Sequence, residues 1–526
     1  MNLLANQLVN HWVIAPLLLP LVMGVVLLIL GSLQRVQAVR VLSVISMITM
    51  LALSIGLLMM SSDDSHRVYA LGNWVAPYGI VLVLDRFSAL MLVLTDVIAL
   101  AALLYAVFMG EDRKGEHFHP LFMLQLFGLH GAFLTGDVFN LFVFFEVLLL
   151  ASYGLLLYGG GRLRTKAGLH FVVINLVGST LFLFAVGALY GVLGSLNLAD
   201  MAERIAKAPA EDHGVIAGAG LLLFAVFALK AAIFPLYLWL PQAYAQTSAA
   251  IAALFAIMTK VGLYAIVRIH GTLFGAEAGD LSGLIDPWLQ GLGWITLIMA
   301  AFGVMAARFL REQISYLVIA SIGMLAIGLS MASAASLSAS LYYMIHSTLL
   351  AGGFFLLADI VRRARGQSED RFEESYHFPK AVWLGSLFFA FAVALSGMPP
   401  LSGFIGKLLI LSAGMDTAQY PVHLAVVLVT SFMIVVALAR SGSTLFYRSK
   451  GDISAEFESE FKSHQANAAT PALAFAVMFA LLLAAPLMVL FAQPLTAWLD
   501  DSAQQILNHR AYIDAVMHLQ AYKGTP

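Results

Sequence analysis

Apolar stretches of about twenty residues recur along this chain, joined by short polar segments, and that repetition limits what it can fold into. An α-helix of about 20 residues crosses the hydrocarbon core of a bilayer, and only structures that satisfy their own backbone polar groups survive there. Such stretches fall near 13–33, 40–60, 85–109, 119–136, 138–158, 169–194, 217–240, 248–270, 292–307, 313–332, 339–361, 381–413, 423–443 and 470–492. Fourteen spans predict an all-α polytopic membrane protein embedded in the lipid bilayer. Only 11% of the residues are charged, against roughly 25% in soluble domains. A net charge of −2 and the lack of a basic cluster with interleaved aromatics give no sign of nucleic acid. With no cysteine, disulfides, thiolate zinc sites and Cys-ligated iron–sulfur clusters are excluded. The start of the chain lacks a basic n-region and a small-residue cleavage site, so 13–33 reads as a retained span.

Charge in the loops orients the spans. With the N-terminus outside, eighteen Lys/Arg fall in inner loops and seven in outer ones, leaving three inside apolar spans. That asymmetry predicts outward-facing termini and inner loops at 362–380 and 440–469. Adding or dropping one span would scramble it. Residues 67–84 alternate and are β-rich, predicting an outer hairpin. Residues 196–209 and 497–521 have amphipathic helical spacing and are expected at the interface.

The three intramembrane lysines are Lys230, Lys260 and Lys407, and Glu146 lies in an equally apolar run, VFNLFVFFEVLLLASYGLL. A charge at mid-bilayer costs at least ~2.5–3.5 kcal/mol. A string of four such groups points to a proton or ion path. Two of the lysines sit in spans with helix breakers. ALKAAIFPLYLWLPQAYA places Pro235 five residues after Lys230, with Pro241 expected to end the helix; ALSGMPPLSGFIGKLLILSA places Gly397, Pro399, Pro400, Gly403 and Gly406 before Lys407. Proline removes a backbone donor, and a pair of broken, lysine-bearing helices fits an inverted-repeat transporter. Either break taken alone equally fits a packing kink.

Glu146 reads as the partner of Lys230, a switchable pair in which separation releases the lysine proton; a structural carboxylate is the alternative. His346 in LYYMIHSTLL suits a relay near neutral pH, with Ser347 and Thr348 able to carry water, although a lone helical histidine is more often a packing residue. Asp96 lies within the third span, Asp137 reads as an entrance carboxylate or a helix cap, and Asp359, beside Arg362 and Arg363, reads as structural. Trp239 and Tyr244 flank the first break, where aromatic packing is the default. No nucleotide loop, metal-ligand spacing or other cofactor motif is present, so energy must come from an ion gradient or a partner protein.

TGDVFNLFVFFEVLLLASYGLLL, ALKAAIFPLYLWLPQAYAQTSAAIAALFAIMTKVGLYAIVRI and GMPPLSGFIGKL resemble the proton-translocating membrane subunits shared by respiratory complex I and multisubunit Mrp (Pha) cation/proton antiporters. The similarity runs from about 75 to 445, and GDVFNLFVFFE followed by ASYGLLL is most similar to the D-type subunits of the antiporters. The resemblance implies fourteen helices with two inverted five-helix repeats and broken helices 7 and 12. It divides the chain into helices 1–3 with the hairpin (1–118), a first repeat (119–270), a second repeat (290–445), and helix 14 with a C-terminal amphipathic helix (446–526). It implies a relay of Glu146, Lys230, Lys260, His346 and Lys407. The sequence departs from many relatives at Ser321, where histidine is common, and near Ala351, where antiporter relatives often carry lysine. The implied function is that of a secondary-transporter subunit, not an enzyme, coupling protons to Na+ or K+ alongside other antiporter subunits in a bacterial inner membrane. The alternative is a proton-pumping subunit of an NADH:quinone oxidoreductase.

Overall fold

The computed structural model describes residues 11–376, 378–448 and 471–519. Most of the 440–469 loop and the C-terminal residue Pro526, on which part of the topology reading rests, lie outside the described residues.

Twelve helices, among those described, are long and apolar enough to cross a membrane. The first five spans are α1 (Ala15–Ser32), α2 (Val36–Met60), α3 (Arg86–Met109), the shorter α4 (Phe118–Leu134) and α5 (Val138–Leu157). A long α6 (Arg162–Leu193) leads into the amphipathic α7 (Leu198–Ala206). The next span is broken into α8 (His213–Ala231) and α9 (Trp239–Gln246). Then α10 (Ala249–Phe255), α11 (Met258–Ala265) and α12 (Gly271–Leu273) run on through a π turn at Ile266–His270 as one span. There follow α13 (Asp286–Ala306), α14 (Leu310–Leu329) and α15 (Ala334–Ala364), then a second broken pair, α16 (Ala381–Ser396) and α17 (Ser402–Ala413). The last spans are α18 (Tyr420–Gly442) and α19 (Ala472–Leu490), with α20 (Ala492–Leu507) and α21 (His509–Met517) beyond them. Thus α4 and the α16/α17 pair occupy the places of the two further spans counted from the sequence.

The core lies along α10–α12, α14 and α15, which are almost wholly enclosed, whereas α1, α2, α18 and α19 turn most of their apolar surface outward. Helix starts follow local chemistry: Asp85 and Ser88 form a capping box on α3, and Asp137 Oδ1 accepts from Asn140 N at 2.7 Å at the start of α5. The hairpin appears as β1 (Arg67–Ala70) and β2 (Val81–Leu84), antiparallel with Arg67 opposite Leu84. One stitch occurs twice. Asp137 bridges to Asn197 through Val138 N to Leu196 O and Leu198 N to Gly136 O, both 2.9 Å. Phe309 bridges to Arg371 through Leu310 N to Asp370 O (2.9 Å) and Phe372 N to Arg308 O (3.0 Å). Each joins the start of one span to the loop that follows the next.

The C-terminal helices return to the hairpin end. Arg86 N donates to Gln505 Oε1 at 2.9 Å, Arg86 pairs with Asp64 (2.7 Å) and Asp501 (3.6 Å), and Tyr512 stacks under Arg268. Burial, then the nearby Arg268 charge, pushes the His509 imidazole down to about 4. At the opposite end Asp359 holds Arg362, Arg363 and the Tyr105 hydroxyl, the structural role expected of it.

Candidate functional site

The four intramembrane charges lie in one row of contacts. Glu146 on α5 accepts a hydrogen bond from the Ser179 hydroxyl of α6. One helical turn away on α6, Asn175 Oδ1 accepts from Lys230 Nζ at 3.2 Å. Glu146 and Lys230 are therefore not a contact ion pair in this structure; α6 interposes an amide and a hydroxyl, four residues apart and so on one face. Lys230 otherwise faces a small apolar pocket formed by Phe145, Phe171, Trp239, Met258 and Val261. Met258 and Val261 flank Lys260 on α11, and the fully buried Lys260 Nζ reaches Ser321 Oγ at 3.4 Å and Thr259 Oγ1 at 3.5 Å. Ser321 also lines a narrow cavity that Lys407 enters, together with Tyr343, Ser347, Ala351 and Ser431. The cavity has room for about one water. The two positions that depart from the resembled pattern, Ser321 and Ala351, thus border the same space, and their small side chains leave it open.

Both broken spans carry a lysine at the break, but only the second sets its ammonium on the carbonyl end of the first half-helix. Lys230 occupies the last turn of α8. Lys407 Nζ donates to Ser396 O in the last turn of α16 and to Ser431 Oγ, both at 2.8 Å. Carbonyls at a helix end carry a partial negative charge, so Lys407 gains a partner that needs no carboxylate, whereas Lys230 relies on the Asn175 amide. Other freed backbone groups are matched by side chains: Trp239 Nε1 donates to Leu229 O (3.1 Å), and Phe234 N donates to Thr296 Oγ1 (2.9 Å). Trp239 is therefore more than aromatic filler. Pro235 lies in the gap, but Pro241 does not end a helix. It sits in the first turn of α9, where the missing N–H has no helical acceptor to lose.

At the second break Gly397 caps α16 with φ +78°, and a Cβ there would lie 2.8 Å from Lys407 Cδ. Pro399 and Pro400 fill the gap. Gly403 lets α17 close on its neighbours, since an added Cβ would lie 2.0 Å from Ala394 O and 2.8 Å from His346 Nε2. His346 Nδ1 is 2.8 Å from Ser402 Oγ, which ties α15 to the second half-helix. Ser347 and Thr348 bond back to Met344 O, and only Ser347 borders the cavity. Asp137 acts as a cap, and Tyr244 donates to Phe255 O at 2.6 Å. Sequence reasoning missed Asn175, Ser179, Thr296 and Ser431. The detectable signal was a polar side chain on the buried face of an otherwise lipid-like helix.

Residues 135–434 match the family described as NADH:quinone oxidoreductase/Mrp antiporter, TM. The chain is 38% identical over 473 residues to the D-type subunit of a probable K(+)/H(+) antiporter of Rhizobium meliloti, covering 84% of this chain and 87% of that protein. It is 34% identical to the D-type subunit of the Na(+)/H(+) antiporter of Bacillus subtilis, covering 97% and 99%. Among solved structures, a chain of the Mrp complex from Dietzia sp. DQ12-45-1b superposes with a TM-score of 0.84 at 26% identity, over 97% of this chain and 99% of that one.

Proposed function

Since the chain belongs to the NADH:quinone oxidoreductase/Mrp antiporter family, among its D-type antiporter subunits, we propose that it carries protons through the Glu146–Lys230–Lys260–Lys407 row while the assembled complex exchanges them for Na+ or K+. The observation that carries this reading is the alignment of polar partners: Glu146 with Ser179, Asn175 with Lys230, Lys260 with Ser321, and Ser321 with Lys407 around one cavity, with an apolar pocket separating Lys230 from Lys260. Each contact sets a charged side chain of the row against a hydroxyl or amide that hydrogen-bonds it. Ser347 and His346 flank the last step, with His346 coupling α15 to the second half-helix. The antiporter reading is preferred over a redox-driven pump because the relatives above 30% identity are named as antiporter subunits.

We further infer two related five-span units, 119–270 and 290–445, which the repeated bridge at Asp137 and Phe309 supports. Alternate spans point in opposite directions, so the two stitches would lie on opposite faces. The multi-pass chain is assigned to a bacterial inner membrane with its N-terminus outside, beside other members of a multisubunit complex. The test is cation-triggered dissipation of a proton gradient in vesicles, normalised to assembled complex. Glu146→Gln, Lys230→Ala and Lys407→Ala should each abolish exchange with assembly retained, and Glu146→Asp should keep part of it. Wild-type exchange in Glu146→Gln or Lys230→Ala would leave these charges structural.

A further inference from the structure

Away from this row, a second buried acid–base cluster joins the first four spans. His130 of α4 and Asp96 of α3 are fully buried, with His130 Nε2 3.0 Å from Asp96 Oδ1. Ser54 of α2 donates to the other carboxylate oxygen, Oδ2, at 2.6 Å. The opposite ring nitrogen, Nδ1, lies 3.0 Å from Pro16 O on α1. That carbonyl has a reason to need a donor: Pro20, four residues on within α1, has no N–H to give it.

Hydrogen-bond chemistry then counts the protons. A carbonyl only accepts, so the partner at Pro16 assigns a proton to Nδ1. A neutral ring would turn a bare Nε2 toward an ionised carboxylate, acceptor against acceptor. One more proton, on the ring or on the acid, removes the conflict and gives a partner to Nε2 and Oδ1, which are otherwise buried with no hydrogen bond. Charge balance points the same way. Besides α1 and α2, the elements packed against α3 are α10, α15, α19 and α20 and those against α4 are α5 and α11, with β2 and the short turn Glu111–Arg113 touching both and the turn Ser61–Asp63 touching α3. Among the described residues, no charged or titratable side chain from any of them forms an ion pair or hydrogen bond with Asp96 or His130. Without the extra proton the site would hold an uncompensated buried negative charge, which is expensive.

We propose that Asp96 and His130 form a proton-binding site, separate from the Glu146–Lys407 row, that holds one proton at neutral pH and clamps α1 to α2–α4 while it is loaded. The bound ligand is the proton itself. Loss of that proton at alkaline pH restores the acceptor conflict and loosens the contact of α1 with α4.

Two measurements on the assembled complex in its membrane test this. Infrared difference spectra at neutral pH should contain either a protonated-carboxyl band lost in Asp96→Asn or an imidazolium band lost in His130→Gln. Finding neither, with His130 a neutral ring protonated at Nε2, would overturn the proposal. The second exploits a chain without cysteine. A Cβ built on Gly24 of α1 lies 3.6 Å from Met123 Cβ of α4, within disulfide reach. In a Gly24→Cys/Met123→Cys chain, cross-linking relative to the same chain carrying Asp96→Asn should fall as pH rises. Asn supplies a neutral N–H donor to Nε2, so its own clamp does not titrate. A ratio that is flat with pH would show that no titrating clamp joins these spans.

Discussion

Replacing Asn175 with leucine keeps the side chain's approximate volume and removes the acceptor that faces Lys230. No other hydrogen-bond partner of the Lys230 ammonium is found among the described residues, and the rest of its pocket is apolar. A hydrogen bond to a charged group contributes ~1.5–3 kcal/mol. Each ~1.4 kcal/mol is a factor of ten. If the charged lysine is an obligatory state of the cycle, Asn175→Leu should slow exchange about ten- to hundred-fold, with the complex still assembled. Asn175→Asp should also stall exchange, for the opposite reason: a carboxylate beside Lys230 favours the charged form of the lysine and holds its proton. The assay is cation-triggered dissipation of a preformed proton gradient in everted vesicles, scaled to assembled complex. Once Lys230→Ala is present, adding Asn175→Leu should cost nothing more, because contacting residues in one network are not additive. Exchange at the wild-type rate in Asn175→Leu would refute the idea that α6 mediates between Glu146 and Lys230.

Further outcomes follow from the same geometry. Gly403→Ala should abolish assembled complex, since its Cβ would overlap Ala394 O, whereas Gly187→Ala, with nothing within 4 Å, should be silent in an immunoblot of native complex. His346→Ala should slow exchange without stopping it, because Ser347 and Ser431 border the Lys407 cavity independently of the ring. The lowered His509 value means that its neutral form is the one packed in the fold. Its contribution is complete above the ordinary value of 6.5 and is lost as pH falls through about 4. Hydrogen exchange over 509–517 should rise across that window, and His509→Phe should remove the pH dependence. The purified chain alone in liposomes should show no robust cation/proton exchange, since the relatives it matches along most of their length are named as single subunits of antiporters.

Much of this architecture is legible in the residues alone. Spans announce themselves by length and hydropathy, and the hairpin, α7 and both breaks stand where alternation, amphipathic spacing and Gly/Pro placement put them. Lys230, Lys260 and Lys407 are conspicuous because a charge in lipid is costly wherever it sits. Their partners are not. Asn175 and Ser179 are ordinary polar residues on a helix that turns much of its surface to lipid, and only the approach of α5 and α8 gives them a role. The expected direct contact of Glu146 with Lys230 fails for that reason: sequence shows that two opposite charges are buried, not which helix passes between them. Pro241 misleads because a proline that closes one helix and a proline in the first turn of the next look alike without the preceding gap. His130 gives no signal at all, since its meaning depends on a carbonyl orphaned by Pro20, more than a hundred positions earlier.

The return of α20 and α21 to the hairpin end bears on how the protein is made. Arg86 and Arg268 acquire Asp501, Gln505 and Tyr512 as companions only when these late helices arrive. Until then Arg86 has Asp64 and Arg268 has Asp85 as partners, and the rest of each guanidinium stays uncovered. The two helices therefore act as a cover: a chain lacking them would keep its spans and its inner ion pairs but leave both guanidinium groups open to solvent.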